Sequence, residues 1–151
     1  MTTPILRPRV LVTGAAGKLG SCLWPVWENS GNYDLTLTDI RPMSESHSRI
    51  LQGDLLDHDF SQQICVDQDV VVALAFIPNS GVSFDCTERN DIAMNLQLFE
   101  SCRRAGVKKL VFASSNHVTG WNERIRQPPF VSDPNEFNPT GWYGAMKGMA
   151  E

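Results

Sequence analysis

The sequence lacks the paired cysteine and histidine patterns that mark structural zinc sites and disulfide frameworks. Its four cysteines and three histidines are dispersed, and no two cysteines form a C-x-x-C motif. We therefore expect no metal site. Scattered single cysteines are usually small core side chains in a reducing cytosol, so we expect a cytoplasmic protein. The cysteines expected in the core are Cys22, Cys65, Cys86 and Cys102.

An excess of basic residues and a long apolar run are also missing. Lysine and arginine total 13 against 17 acidic residues, and the net charge is −4. The densest basic runs, 103–104 and 108–109, flank a predicted helix end that favours cations, so we expect no nucleic-acid partner. The longest apolar run, residues 70–77, is too short to cross a bilayer, and residues 1–9 lack the apolar segment of a secretion signal. We expect no membrane association.

What the sequence does contain is an apolar strand that runs into three evenly spaced glycines, Gly14, Gly17 and Gly20. Glycines let the backbone turn tightly and approach a pyrophosphate, while the helix that follows offers unpaired N–H groups and the positive end of its dipole. A side chain at Gly14 or Gly17 is expected to occupy the space of the ligand. The alternative is a tight strand-to-helix connection that binds nothing.

An acidic residue stands where a dinucleotide site needs one. Asp39 ends a second predicted strand, 19 residues after Gly20, and a carboxylate about 20 residues past the glycines accepts hydrogen bonds from the adenosine ribose. The same carboxylate repels a 2′-phosphate, which predicts NAD rather than NADP as cofactor. Arg41 follows two residues later and could offset part of that repulsion, although a solvated surface arginine is the simpler interpretation.

Short apolar strands alternate with helical patterns along the chain. We predict strands at 9–13, 35–39, 49–52, 69–75 and 109–113. The run 69–75 is apolar almost throughout, which is typical of a strand buried on both faces of a parallel sheet. This alternation predicts an α/β fold with a Rossmann-type, doubly wound parallel sheet.

The helices are predicted from their apolar spacing and end signals. Asp57 is the expected N-cap of a short helix, a longer helix covers 87–105 with Gly106 as its C-cap, and a last helix begins near Trp142. The proline-rich stretch 121–141 is predicted to be a long loop. The helix after Gly17, which contains Pro25, is expected to bury Leu19, Cys22, Leu23, Val26 and Trp27; the helix at 87–105 is expected to bury Ile92, Leu96, Phe99 and Cys102.

Two residues four apart at the start of the last helix could perform proton chemistry. Tyr143 and Lys147 project from one helix face, and an ammonium near a phenol favours the phenolate, which makes tyrosine usable as a general base. An ordinary helix-surface pair is the alternative. Ser114 and Ser115 follow the fifth predicted strand. In an open parallel sheet they belong to the same rim as the glycine turn, which is where ligands bind.

Together these motifs resemble the extended short-chain dehydrogenase/reductases of the NAD-dependent epimerase/dehydratase group. The resemblance covers essentially the whole chain, and its motifs occur in the order and spacing of that family. The residues that carry it are Thr13-Gly14-x-x-Gly17-x-x-Gly20, Asp39, Gly53-Asp54-Leu55, Val72-Ala73-Leu74-Ala75, Asn95, Ser114-Ser115 and Tyr143-x-x-x-Lys147.

The resemblance implies a role for each matching residue. Tyr143 is the catalytic base, Lys147 holds the nicotinamide ribose and lowers the pKa of the tyrosine, and Ser115 binds the reacting substrate oxygen. Asp54 could face an adenine edge or simply form a turn, and Asn95 could support the active site or bond to helix backbone. The residues expected to bind NAD are Gly14, Ala16, Gly17, Lys18, Leu19, Gly20, Asp39, Asp54, Leu55, Ala73, Leu74, Ala75, Asn95, Tyr143 and Lys147.

Within the group, the stretch from Phe112 to Gly120 is most similar to the uronate dehydrogenases, which oxidise the anomeric carbon of a hexuronate with NAD. Ser115, Asn116 and His117 are then expected to contact the substrate, with a loop-bonded histidine as the alternative for His117. One departure lies in 75–78, where those enzymes carry glycines and a substrate-binding serine. A nucleotide-sugar epimerase or dehydratase that recycles its NAD is the second hypothesis.

The resemblance also bears on the extent of the domain. We expect residues 1–151 to form a C-terminally truncated NAD-binding Rossmann domain that lacks its last strands and the substrate-binding lobe. Such a sheet would expose apolar surface along one edge. The expected partner is a small-molecule substrate, either a sugar acid or a nucleotide sugar; a homo-oligomer and a non-catalytic NAD-binding fragment are both compatible with the sequence.

Overall fold

The computed structural model describes residues 6–44, 46–77, 84–125 and 135–151, without the side chains of 84–90 and 123–125. The chain divides into two compact units, which we describe separately. The first unit comprises Met1–Phe76 and Gln97–Phe112, and the second comprises Ile77–Leu96 and Ala113–Glu151. Within the described ranges, no helix has both the length and the apolar character that a membrane crossing needs.

The first unit contains a five-stranded sheet in which every neighbouring pair is parallel. Its order is β3-β2-β1-β4-β5, and the direction in which strands are added reverses between β1 and β4, as in a doubly wound Rossmann sheet. The predicted α/β class and parallel topology are confirmed. The strands are β1 Arg9–Thr13, β2 Asp34–Asp39, β3 Arg49–Gln52, β4 Val70–Ala73 and β5 Lys109–Phe112.

Five α-helices and one 3₁₀ helix connect and follow these strands in the described part of the chain. The longest begins earlier than predicted, at Phe84 rather than 87, and a short helix occupies the start of the stretch predicted to be a loop. Residues 126–134 of that stretch lie outside the described residues. The helices are α1 Lys18–Ser30, α2 His58–Cys65, α3 Phe84–Ala105, the 3₁₀ helix Asn116–Val118, α4 Gly120–Ile125 and α5 Trp142–Ala150.

The central strands are buried on both faces. Val10 and Val12 of β1 pack with Leu35, Leu37 and Val72 in one core cluster. Leu11 and Val71 have no exposed surface and, by the alternation of a strand, face the opposite side of the sheet. Leu110 and Val111 of the edge strand β5 are exposed.

The apolar face predicted for α1 is partly wrong. Leu19 and Val26 are 64% and 66% exposed, and Cys22 is exposed as well. Leu23 and Trp27 pack against the core cluster as predicted, and Trp24, which was not predicted, packs there as well. The helix is apolar around most of its circumference, so spacing alone did not select the inward face. It continues through Pro25 and ends at Ser30, with Gly31 at a φ of 64° as its C-cap.

The apolar face of α3 also differs from the prediction. Leu96 is exposed, whereas Met94, Leu98 and Cys102 are buried. Cys102 meets Cys65 of α2, with a distance of 3.8 Å between the two sulfur atoms. Burial of these two cysteines is confirmed, and the side chain of Cys86 lies outside the described residues.

Asp69 precedes β4 and forms hydrogen bonds with the amino ends of β1 and β5. Its Oδ2 accepts a hydrogen bond from the Arg9 backbone N–H at 2.9 Å, and its Oδ1 accepts one from Lys108 Nζ at 2.8 Å. The Asp69 carbonyl oxygen accepts hydrogen bonds from the N–H groups of Lys108 and Lys109. The Lys108 ammonium and the Arg9 donors hold the pKa of the Asp69 carboxyl well below its usual 3.8.

We expect Asp69→Asn to destabilise the chain in a pH-dependent way. Because the folded-state pKa is depressed, the ionised carboxylate contributes its full stability above pH 3.8 and loses it as the pH falls through the lower folded value. Urea unfolding should therefore separate variant and wild type near neutral pH and bring them together in acid. Asp67→Asn is the control, because Asp67 is exposed and lies 3.5 Å from Arg9. A difference that is constant with pH would contradict this assignment.

Candidate functional site

The glycine turn of the first unit leads directly into the amino end of α1. The Gly17 N–H donates to the Gly14 carbonyl oxygen at 2.9 Å, and Gly14 has a φ of 66°. Gly17 is the N-cap residue of α1 and provides no side-chain cap. The first turn of a helix has N–H groups without intrahelical partners, so this end of α1 can receive an anion such as a pyrophosphate.

The three glycines differ in what a side chain at each would meet. A Cβ at Gly14 would lie 2.6 Å from the backbone nitrogen of Ala75, and a Cβ at Gly20 would lie 2.5 Å from the carbonyl oxygen of Gly14. These two glycines are therefore needed for packing within the chain. A Cβ at Gly17 would be 3.0 Å from the Gly14 carbonyl oxygen and otherwise no closer than 3.9 Å to another group. Of the three, Gly17 alone faces the open space that a ligand needs.

Asp39 connects the end of β2 to the glycine turn. Its Oδ2 accepts a hydrogen bond from the Ala16 N–H at 3.0 Å, while its Oδ1 accepts hydrogen bonds from the backbone and Nε of Arg41, at 2.9 and 3.2 Å. The carboxylate is buried, and the Arg41 side chain is exposed but ion-paired with it. A carboxylate oxygen has two acceptor positions, so Oδ2 keeps one for a hydroxyl group.

The segment after β3 places Asp54 in a local turn. Its Oδ1 accepts a hydrogen bond from the Leu56 N–H at 2.9 Å, and its carbonyl oxygen accepts one from the Asp57 N–H. This is the turn role that the sequence left open for Asp54. Leu55 is buried in the core, and Asp57 caps α2 through the N–H groups of Asp59 and Phe60, as predicted.

The end of β4 lies against the glycine turn. Thr13, which is fully buried, accepts a hydrogen bond from the Ala75 N–H at its Oγ1 and another from the Leu74 N–H at its carbonyl oxygen, both at 3.3 Å. Ala73 is buried, and Leu74 and Ala75 are half-buried. Of the residues predicted to bind the cofactor, the first unit brings Ala16, Asp39, Leu74 and Ala75 to the glycine turn. Lys18 and Leu19 are exposed on α1.

The second unit holds the candidate catalytic residues. Ser115 is the N-cap of the 3₁₀ helix, and its Oγ accepts a hydrogen bond from the His117 N–H at 3.2 Å. Asn116 and His117 are exposed. The Nδ1 atom of His117 lies 3.2 Å from Thr140 Oγ1, so the loop-bonded role that the sequence left open for His117 is present.

Helix α5 packs against this 3₁₀ helix. The rings of Tyr143 and His117 meet edge to face, with 5.3 Å between their centroids. A Cβ at Gly144 would overlap the carbonyl oxygen of His117, so only glycine allows the two helices to approach this closely. Tyr143 is half-buried. The structure therefore brings the tyrosine to the segment that carries Ser115.

Lys147 lies one turn further along α5 and is buried. Its Nζ donates a hydrogen bond to the Ala113 carbonyl oxygen at 2.6 Å. Burial lowers the pKa of the Lys147 ammonium, and attraction by the Asp91 carboxylate acts in the opposite direction. Ser114 has a different role from Ser115, because its hydroxyl contacts the carboxylate of Glu151.

Asn95 has the structural role that the sequence left open. It is buried, and its Nδ2 donates to the carbonyl oxygen of Asp91, one turn earlier in α3, at 2.8 Å. Sequence reasoning missed Asp91 and Gly144. The sequence did contain a signal for Asp91. Positions 91, 94, 98 and 102 share one helix face, and an acidic residue is rarely found among buried apolar residues without a specific role. No group of three or more metal-ligating side chains occurs among the residues that the structure describes.

The family described as the NAD dependent epimerase/dehydratase family matches residues 10–151. Two curated proteins illustrate the similarity. Uronate dehydrogenase of Pseudomonas syringae pv. tomato is 30% identical, with 99% of this chain and 54% of that protein covered. UDP-glucose 4-epimerase of Azospirillum brasilense is 31% identical, with 95% of this chain and 43% of that protein covered.

Solved structures are similar at the level of the fold as well. A crystal structure of uronate dehydrogenase from Agrobacterium tumefaciens superimposes with a TM-score of 0.81 at 28% identity, over 95% of this chain and 53% of that one. The protein MoeE5 in complex with UDP-glucose and NAD superimposes with a TM-score of 0.80 at 32% identity, over 94% of this chain and 46% of that one. The chain spans about half the length of the relatives it matches.

Proposed function

Because the chain belongs to the NAD dependent epimerase/dehydratase family, we propose that it binds NAD at the glycine turn and serves the oxidation of a hexuronate at its anomeric carbon. The observation that carries this proposal is the packing of α5 on the 3₁₀ helix, which brings Tyr143 to the Ser115-Asn116-His117 segment. Similarity to uronate dehydrogenases over nearly the whole chain supports the choice of substrate class.

The first unit has the groups that an NAD molecule needs at its adenosine and pyrophosphate portions. The uncapped amino end of α1 at Gly17 offers N–H groups to the pyrophosphate. The remaining acceptor position of Asp39 Oδ2 receives a ribose hydroxyl. The proposed site also takes in Ala16, Leu74 and Ala75, which border the turn.

The second unit supplies the proton chemistry. Tyr143 takes the proton of the substrate hydroxyl, and Ser115 hydrogen-bonds the same oxygen and fixes its position. The Lys147 ammonium stabilises the tyrosine phenolate and holds the nicotinamide ribose. Asn116 and the exposed edge of His117 contact the sugar hydroxyls and the carboxylate. NAD, when bound, accepts the hydride that leaves the anomeric carbon.

The substrate proposal is tested by incubating the chain with NAD and either galacturonate, glucuronate or UDP-glucose, while NADH absorbance is followed. We expect NADH to accumulate with a hexuronate and not with UDP-glucose. Conversion of UDP-glucose to its epimer without net NADH would instead establish the epimerase alternative. NAD binding without turnover of any of the three would identify a non-catalytic NAD-binding chain.

Asp39 and Arg41 form a matched pair for testing cofactor selection. Asp39→Ala removes a charge-assisted hydrogen bond to the ribose, worth about 1.5–3 kcal/mol, and should weaken NAD binding roughly ten- to a hundredfold. Arg41→Ala keeps the carboxylate but removes the cation that lies 3.2 Å from it. We expect it to leave NAD binding intact and to weaken NADP binding further. Calorimetric titration measures both; equal loss of the two cofactors in both variants would contradict this assignment.

A further inference from the structure

Two buried thiols of the first unit lie against each other. Cys65 is the last residue of α2, and Cys102 lies in the part of α3 that belongs to the same unit. Their sulfur atoms are 3.8 Å apart, a distance that leaves no room for another atom between them. Cys65 has no exposed surface, and Cys102 is 5% exposed. The proposed NAD chemistry uses neither residue, so this contact is independent of the proposed function.

Small side chains bring the two helices together at this point. Ser101 Oγ of α3 donates a hydrogen bond to Ser61 Oγ of α2 at 3.4 Å, and both serines are buried. Ser61 stands one turn before Cys65, and Ser101 stands next to Cys102. The separation of packed helices depends on the side chains at their contact, so serine and cysteine allow a close approach. The sulfur contact is therefore fixed by helix packing and is not a chance meeting of mobile surface side chains.

Of the two thiols, Cys102 is the better placed to react first. It keeps some exposed surface, and the hydrogen bond from the Cys65 thiol lowers the pKa of the Cys102 thiol. A lower pKa favours the thiolate, which is the form that reacts with oxidants. The hydrogen bond to Cys102, together with burial, raises the pKa of the Cys65 thiol. Cys65 therefore keeps its proton while Cys102 reacts.

The end of α2 gives a small oxidant a path to the pair. Cys65 ends an eight-residue helix, and Val66, which follows it, is 56% exposed. Short helix ends open locally at a lower free-energy cost than the centre of a sheet. Closing a disulfide requires the two sulfur atoms to approach to about 2 Å, and the end of α2 is the part of the contact that can yield.

We propose that Cys65 and Cys102 form an oxidation site at which hydrogen peroxide joins the two thiols in a reversible disulfide. The Cys102 thiolate attacks one oxygen of the peroxide and becomes a sulfenic acid, while hydroxide leaves and takes up the proton that Cys102 had lost. The Cys65 sulfur then attacks the Cys102 sulfur. The S–S bond forms, the S–O bond breaks, and the hydroxyl group leaves as water with the Cys65 proton. Two thiols are oxidised by two electrons, and one peroxide is reduced to two waters.

The test is peptide mapping by mass spectrometry, without reduction, after the folded chain is treated with hydrogen peroxide. Replacing the other two of the four cysteines, Cys22→Ser and Cys86→Ser, leaves only this pair. We expect most chains to contain the 65–102 peptide pair joined with the loss of two hydrogen atoms, and dithiothreitol to restore both thiols. Unmodified thiols, sulfinic acid at Cys102 without a link, or a link that forms only in urea would overturn the proposal. If the double variant does not fold, the same map of the wild-type chain decides.

Single-cysteine variants of the same background test the order of reaction. In Cys65→Ser the sulfenic acid at Cys102 has no thiol to react with, so dimedone should label it. In Cys102→Ser the remaining Cys65 should be labelled several-fold less, and equal labelling would contradict the assignment of Cys102 as the first thiol to react.

The stability of the linked chain shows whether the bond fits the fold. The two cysteines are 37 positions apart in the sequence, and a cross-link over such a loop restricts the unfolded chain. We expect the oxidised chain to unfold at a higher urea concentration than the same chain in dithiothreitol. A lower midpoint, or loss of the circular dichroism of the fold on oxidation, would show that the bond belongs to a misfolded state and would overturn the proposal.

Discussion

Replacing Tyr143 with phenylalanine should lower the rate of NADH formation by about a hundred- to ten-thousandfold, the range that a positioned general base contributes. The substitution removes only the phenolic oxygen. The ring can still meet His117 edge to face, so the packing of α5 should survive. NAD affinity, measured by calorimetry, should stay within about twofold of wild type, because the proposed contacts of the pyrophosphate and adenosine lie in the first unit.

The chain provides a matched control for this change. Its only other tyrosine is Tyr33, which packs against Trp27 with 5.5 Å between ring centroids. Tyr33→Phe removes the same atom in the first unit and should leave turnover unchanged. Full activity of Tyr143→Phe, or an equal loss in both variants, would be incompatible with Tyr143 as the base.

Gly144→Ala should destabilise the second unit and abolish activity with it. The added methyl group would overlap the backbone carbonyl of His117, and a backbone group cannot move aside as a side chain can. Overpacking of this kind costs about 1–3 kcal/mol, which exceeds the roughly 1 kcal/mol that alanine gains over glycine in a helix. Urea unfolding followed by circular dichroism measures the difference, and the activity assay reports whether Tyr143 still reaches the Ser115 segment.

Gly148 tests whether the carbonyl contact is the cause. It lies in the same helix, and a Cβ there would meet side chains rather than backbone: the ring of Phe137, a residue that is 54% exposed, and Val118 Cγ1 at 3.2 Å. Gly148→Ala should therefore be close to neutral or slightly stabilising. If both substitutions cost the same stability, helix α5 is simply intolerant of alanine, and the close approach at Gly144 has no special importance.

The architecture could be predicted from the sequence because each strand carries its own signal. Val70–Ala73 lies in an apolar run with polar residues on either side, and the glycine turn and Asp39 stand at the spacing of a dinucleotide-binding unit. Helix ends also carry local signals. Gly31 adopts the positive φ that glycine allows, and the Asp57 side chain caps α2. The parallel direction of the strands then follows from the alternation of strands and helices along the chain.

The inward faces of the helices were harder to predict because apolar residues surround much of each helix. In α1 the inward face includes Trp24, which packs against the core cluster and whose Nε1 donates to the Ala15 carbonyl oxygen at 3.2 Å. Leu19 and Val26 then face outward. Periodicity narrows the options for a helix of this composition without selecting among them.

The candidate site divides in the same way. Tyr143, Lys147 and Ser115 were identified by residue type and spacing, and their roles stay proposals. The charge of Asp91 acts on the buried Lys147, and Gly144 lets α5 approach the 3₁₀ helix closely. Both effects depend on tertiary structure that no local motif predicts.

Calorimetric titration of the 151-residue chain with NAD, and in parallel with NADP, tests the central claim most directly. The account predicts saturable binding of NAD and much weaker binding of NADP, because the Asp39 carboxylate that borders the turn disfavours a 2′-phosphate. Absence of NAD binding by a chain whose helices and sheet are intact by circular dichroism would contradict it.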